Sequence, residues 1–266
     1  MNHLLRGLAP LTPETWELVD AEAKSRLSVA LGARRLVDFA GPLGWQHSAT
    51  STGRVGPAVA APVEGVTARA RTVLPLAEVR ADFTLSRVEL DAAARGAVDV
   101  DLSSLDQAAL AIARTENATV FDGWPALGMI GIAHASPHKP IAAGDDPSRL
   151  AARVAAAVGV LKQSDVGGPY ALALGHDAWV SVVGGNDAGG APLLGHLRHV
   201  LDGPVEWVPG IANPVVLSLR GGDFILECGE DLSVGYSSHT ADAVELYLQE
   251  TVSFRVATPE AAVALV

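Results

Sequence analysis

The chain has 266 residues, 49% of them hydrophobic, with a single cysteine and a formal net charge of −11. That length and apolar content support one large domain or two medium ones around a real core, and a lone Cys228 excludes an intrachain disulfide framework and fits a reducing cytoplasm. An acidic chain without a concentrated basic face argues against a nucleic-acid partner, no run approaches the ~20 apolar residues of a membrane span, and the opening MNHLLRGLAPLTPE lacks a signal-peptide core, so the protein is expected inside the cell.

The first element is a helix over LTPETWELVDAEAKSRLSVALG. Thr12 has N-cap chemistry, Pro13 sits where a missing N–H does no harm, and Leu11 and Trp16 have the spacing of a hydrophobic staple. Trp16, Val19, Ala23, Leu27, Ala30 and Leu31 form its apolar stripe, and Gly32 can end it as a C′ residue. The small Ala23 and Ala30 in that stripe leave a shallow groove where larger side chains would fill the seam. From about 47 to 73 a stretch rich in Gly, Pro, Ser and Thr reads as a long two-stranded arm with little apolar surface, and such an arm needs something to lie on.

EVRADFTLS alternates as a half-buried strand, with Val79, Ala81, Phe83 and Leu85 on one face. Ser86 and Glu89 have the spacing of a capping box ahead of a short helix. Next comes the longest helix, with Leu105, Ala108, Ala109, Ile112 and Val120 inward and Gly123 as terminator. After a loop rich in Gly, Pro and His, a second unit follows: a helix behind Asp146 and Pro147, the strand GPYALALG and the helix LLGHLRHVLDG. Between the last two, VVGGNDAGGAPLL reads as a glycine-rich loop. The C-terminal quarter is strand-rich, with Val244, Leu246 and Leu248 alternating against Glu245, Tyr247 and Gln249. The class is α+β.

No constellation of catalytic residues stands out. No G-x-S-x-G elbow surrounds a serine, and neither a P-loop nor a dinucleotide fingerprint is present. His196 and His199, three apart on a helix, lack a third metal ligand nearby, and His134 and His138 lie in a loop. Glu227, Glu230 and Asp231 beside Cys228 match no calcium loop and read as a polar turn. No metal, cofactor or enzymatic activity is expected.

Six stretches, LAPLTPETW, GPLGW, LPLAEVRADFTLSRVELDAAARG, GPYALAL, RGGDF and DLSVGYSSHTADAVELYLQETVSF, closely resemble in the same order the encapsulins, shell proteins once described as linocin-type bacteriocins. The resemblance implies the α+β major capsid fold of tailed phages. It divides the chain into an N-terminal arm and lumenal helix (1–38), a P-domain (39–47, 73–135 and 223–266), an E-loop (48–72) and an A-domain (136–222). It also implies a non-enzymatic shell of identical copies, sixty in the smallest icosahedral particle, enclosing a cargo enzyme such as a dye-decolourising peroxidase or a ferritin-like protein in the cytoplasm. A C-terminal cargo peptide would dock on an apolar floor of Ala23, Leu27, Ala30 and Leu31, with polar contacts from Arg34 and Asp38 and a wall of Leu232, Val234 and Tyr236. By the same matching Gly184, Gly185, Asn186, Asp187, Ala188, Gly189 and Gly190 would line a fivefold pore. A phage-type capsid protein is the alternative reading, and a hydrolase or bacteriocin-like activity stands behind it.

Overall fold

The structure, a computed structural model, describes residues 3–142, 149–186 and 190–266. Its first helix begins as its sequence dictates. The Thr12 hydroxyl oxygen accepts a hydrogen bond from the Thr15 N–H at 3.3 Å, and α1 (Pro13–Ala30) buries Trp16, Val19, Ala23, Leu27 and Ala30. The helix ends where expected, with Leu31 as C-cap and Gly32 next, although Gly32 has a right-handed φ of −66°. It is glycine because a Cβ there would stand 2.4 Å from the Trp207 carbonyl oxygen, so the constraint is close approach to a distant segment.

A short strand β1 (Asp38–Ala40) leads to the arm, an antiparallel pair of β2 (Ala49–Ala60) and β3 (Thr67–Pro75). β4 (Ala77–Ser86) follows, with Val79, Phe83 and Leu85 buried as the alternation requires. The predicted capping box does not form at the start of α2 (Arg87–Ala94): Ser86 makes no cap hydrogen bond, because Glu89 accepts instead from the Asp101 N–H at 3.0 Å. The spine helix α3 (Ser103–Phe121) buries all five residues predicted to face inward and ends before Gly123 at φ +90°. β5 (Gly123–Trp124) and β6 (Met129–Ile130) form a minimal hairpin, and α4 (Ile132–Ala135) follows.

The second unit holds α5 (Leu150–Gln163), β7 (Tyr170–Leu174), α6 (His176–Val183), α7 (Leu193–Leu201), β8 (Val205–Trp207) and β9 (Val215–Ser218). The cap expected at Asp146 and Pro147 lies outside the described residues. Helix α6 replaces the first part of the predicted glycine-rich loop; its stretch HDAWVSVV is too short and too rich in β-branched residues to advertise a helix, yet Val182 packs fully inside. The chain closes with β10 (Phe224–Cys228), β11 (Ser233–His239), β12 (Ala243–Val256) and β13 (Ala262–Ala264).

Two sheets carry the fold. In the larger, β12 is central: β4 pairs with it on one side and β10 and β11 on the other, all antiparallel, and β1 adds to β10 in parallel. The predicted alternation in β12 gives way to burial on both faces, and α3 and β6 pack against this strand. Tyr247 and Gln249 are buried along with Leu246 and Leu248. Gly235 makes room for the Tyr247 ring, which a Cβ at that position would meet at 2.1 Å, and Arg80 covers the ring at 3.7 Å. The smaller sheet runs β13-β9-β7-β8. Here the expected boundary is corrected, because β13 leaves the segment 223–266 and joins the second unit. Its three residues are all buried, α4 and α5 pack against it, and Ile141 hydrogen-bonds along its free edge through the Ala264 carbonyl and the Val266 N–H.

A buried carboxamide ties the units together. Asn117 on α3 accepts from the Ala33 N–H and donates to the carbonyls of Ala30 and Pro209, each at 2.9 Å. It thereby satisfies backbone groups left over at the end of α1 and ties that end to the loop before β9. Asn117→Ala leaves a buried donor and two buried acceptors without partners. It is expected to lower stability by about 2–4 kcal/mol, read as an earlier midpoint in urea unfolding followed by circular dichroism.

Candidate functional site

Between α1 and the strands at the chain's end lies an open groove of about 470 Å³. Its bottom is apolar and tightly packed, with Ala23 and Leu27 from α1 against Val234 from β11 and Leu248 from β12. Leu31 and Leu232 stand half-buried at its sides, and Arg34 and Asp231 close one end. The helical stripe builds this shape directly. Ala23 sits one turn before Leu27, and its short side chain leaves the helix thin at that point of the groove.

Of the residues that the sequence resemblance assigned to a cargo groove, the structure brings together Ala23, Leu27, Leu31, Arg34, Leu232 and Val234. Ala30 is buried at the helix end, where its carbonyl serves Asn117. Asp38 points elsewhere: it accepts the Gly222 N–H at 2.6 Å and lines a separate crevice of about 280 Å³ with Arg35 and Asp223. Tyr236 is buried beside the groove, with its hydroxyl 2.5 Å from His239 Nδ1.

The end of the groove is held by a buried ion cluster. The Arg34 guanidinium donates to both carboxylate oxygens of Glu116, with a shortest contact of 2.6 Å, to Glu250 at 2.9 Å and to Asp231 at 2.7 Å. Glu116 and Glu250 are fully buried, whereas Asp231 keeps 44% of its side chain exposed. The ring of Phe39 lies 4.6 Å from the guanidinium carbon. Burial opposes the charge on Arg34, but the hydrogen bonds and field of Glu116, with Glu250 and Asp231 adding, raise its pKa, so it stays ionised. Glu250 is pushed well above the usual carboxylate range, first by burial and then by the Glu116 charge, against the pull of Arg34. The native chain therefore binds more protons here than the unfolded chain, and this group's contribution to stability falls as pH rises from the ordinary carboxylate range through its raised folded value. Burial, with the charges of Asp231 and Glu250, also pushes the Cys228 thiol up to about 12, which makes it a poor nucleophile.

Sequence reasoning missed the N-terminal strap. His3 Nε2 lies 2.5 Å from Glu230 Oε1 while its ring stacks on Trp45 at 4.0 Å, and the Tyr236 N–H donates to the Leu4 carbonyl at 2.9 Å. Leu4 and Arg6 thereby become groove walls, and Arg6 covers the Trp16 ring at 4.0 Å while donating to Asp20 at 2.7 Å. The acidic trio near Cys228 turns out to be divided among three partners. Glu227 meets His47 at 2.6 Å, Glu230 meets His3 and Asp231 meets Arg34. No signal in the local sequence pairs residues some 200 positions apart.

Of the segment that the resemblance assigned to a pore, Gly184, Gly185, Asn186 and Gly190 are described, whereas Asp187, Ala188 and Gly189 lie outside the described residues. Gly184 caps α6, Gly185 lies too close to the Ser181 carbonyl to carry a side chain, and Asn186 pairs with Pro192 across the turn. His196 and His199 are exposed on α7, and His138 Nε2 lies 2.9 Å from the Glu260 carbonyl. Among the described residues no group of three or more His, Cys, Asp or Glu is arranged to hold a metal ion. Among the same residues no helix is long and apolar enough to cross a membrane.

Comparison with known proteins gives a consistent picture. Residues 1–253 match the model of a family described as encapsulating protein for peroxidase. The chain is 43% identical over its full length to a type 1 encapsulin shell protein of Rhodospirillum rubrum, covering 96% of that protein. It is 40% identical to one of Mycobacterium tuberculosis, covering 99% of it. Among solved structures, a virus-like particle from Pyrococcus furiosus aligns over 95% of this chain and all of that one, with a TM-score of 0.69 at 13% identity. The capsid of an empty GTA particle aligns over 88% and 89% of the two chains, with a TM-score of 0.52 at 18% identity. These two likenesses establish the fold, which is that of phage-type capsid proteins.

Arg34→Met removes the one cation from between two buried carboxylates. The expected loss is about 3–5 kcal/mol of stability, measured by urea unfolding near neutral pH.

Proposed function

This chain belongs to the encapsulin family, and from that premise we propose that it assembles into a closed icosahedral shell that encloses a cargo enzyme in the cytoplasm. The observation that carries the reading is the match to shell proteins, which runs along the whole chain. The arm supports it. Val55, Val59, Val63 and Val66 are more than half exposed on a two-stranded ribbon that projects from the larger sheet, and such a ribbon gains its stability by lying on a neighbouring copy. Closed symmetry then repeats that contact around the particle, sixty times in the smallest shell.

The groove is the proposed cargo site. An extended C-terminal tail of the cargo would place apolar side chains on Ala23, Leu27 and Val234 and polar groups against Arg34 and Asp231, with Leu31 and Leu232 as sides. Each buried aliphatic side chain is worth about 1.5–3 kcal/mol, so a short tail binds modestly. A multimeric cargo with several tails gains a further factor of about 10²–10⁴ through effective concentration. The family description favours a peroxidase as cargo, with a ferritin-like protein as the alternative. The segment from Gly184 to Gly190 is the proposed lip of a pore that passes small solutes.

Two measurements test this reading. Negative-stain electron microscopy with light scattering is expected to show uniform closed particles of megadalton mass, and a small soluble oligomer across salt and pH overturns it. In the shell, Leu27→Asp with Leu31→Asp is expected to leave particles intact while abolishing capture of a peroxidase tail peptide. Undiminished capture by such particles would remove the groove assignment.

A further inference from the structure

We propose that Glu250 is carried as the neutral carboxylic acid, sharing one proton with Glu116, and that loss of this proton at alkaline pH draws Arg34 off Asp231 and loosens a peptide held in the groove. The coupling to the peptide rests on the docking reading above; the shared proton does not.

The geometry supplies the reasons. Glu250 Oε2 accepts from Arg34, but Oε1 is buried with no hydrogen-bond partner. A carboxylate oxygen carrying charge in that position would be desolvated and unpaired, whereas a protonated carboxyl needs only one acceptor, and Glu116 is its neighbour in the cluster. The elements packed around the site provide no second cation. The turn after α1 contributes Arg34, α3 contributes Glu116, the β10–β11 segment contributes Asp231 and the neutral Cys228, β1 contributes the Phe39 ring, and Val79 of β4 stands opposite Glu250 in register. One guanidinium thus serves three carboxyl groups, of which only Asp231 has water to fall back on. The upward displacement of the Glu250 pKa by burial and by the Glu116 charge agrees with this arrangement.

Ionisation of Glu250 puts two negative charges in the interior around one guanidinium. The guanidinium already donates to both, and the added charge draws it deeper toward them, at the expense of its bond to the solvated Asp231. Asp231 also accepts the Leu232 N–H at 2.8 Å, and the Ser233 hydroxyl donates to the Asp231 carbonyl at 2.8 Å. Release of Asp231 therefore unsettles the turn that delivers Leu232 and Val234 to the groove. Glu116 and Glu250 act as positioning residues, through Arg34.

The test uses assembled shells and two readouts. Infrared difference spectra are expected to show the carbonyl stretch of a protonated carboxyl at neutral pH, lost on alkaline titration and absent in Glu250→Gln; absence of the band in the wild type overturns the proposal without any variant. Fluorescence anisotropy with a labelled C-terminal tail peptide of the enclosed peroxidase is expected to show affinity falling about tenfold between roughly pH 7 and pH 10 in the wild type, and staying level in Glu250→Gln, whose neutral amide mimics the acid. Parallel loss in both proteins overturns the coupling. A peptide that binds the wild type at no pH overturns the docking reading and the coupling with it, while the infrared band still decides the shared proton.

Discussion

The junction around α1 depends on a pair of consecutive polar residues in the middle of an apolar helix face. Glu116 and Asn117 are both buried on α3, where the stripe would otherwise continue with hydrophobic side chains. Asn117 takes up the backbone groups that the end of α1 leaves unsatisfied, and Glu116 takes up the Arg34 guanidinium one turn further on. Together they fix the place where the chain leaves its first helix, turns and enters β1. Helix α1 packs on α3, and this polar junction anchors its C-terminal end beside the groove. Buried polar groups of this kind add little net stability and much definition, because any other arrangement would strand them.

Locally encoded features were the legible ones. Thr12 and Pro13 announce the start of α1, the alternation through Val79, Phe83 and Leu85 announces β4, and the 3.6-residue period announces α3, because each depends only on neighbours along the chain. The exceptions have a shared physical origin. Gly32 has a helix terminator's composition but answers to Trp207, 175 positions away; Ser86 and Glu89 have the spacing of a capping box, yet Glu89 finds Asp101 first. The β12 pattern predicts one wet face, and tertiary packing, with α3 and β6 against the strand and Arg80 over the Tyr247 ring, dries both. The short apolar β13 carries no sign of which sheet it will join.

The groove divides in the same way. Its helical floor was readable from the stripe of small and large residues in α1, and resemblance to the encapsulins supplied the facing strand residues. The strap through His3, Leu4 and Arg6 was not readable, since its contacts are to Trp45, Tyr236, Glu230 and Asp20. Asp38 and Tyr236 were drawn to the site by position in the family pattern, while in this chain their polar atoms have other partners, Gly222 and His239.

The central place of β12 has a consequence for the order of folding. This strand supplies the hydrogen-bonding partner of β4, β10 and β11, and it lies far along the chain from α1. Helix α1 gains its groove wall only when β11 and β12 have paired, so the groove and the larger sheet are completed together. Pairing between such distant segments is intrinsically slow. A chain in which β12 has not yet found its partners therefore has neither a finished groove nor a closed larger sheet.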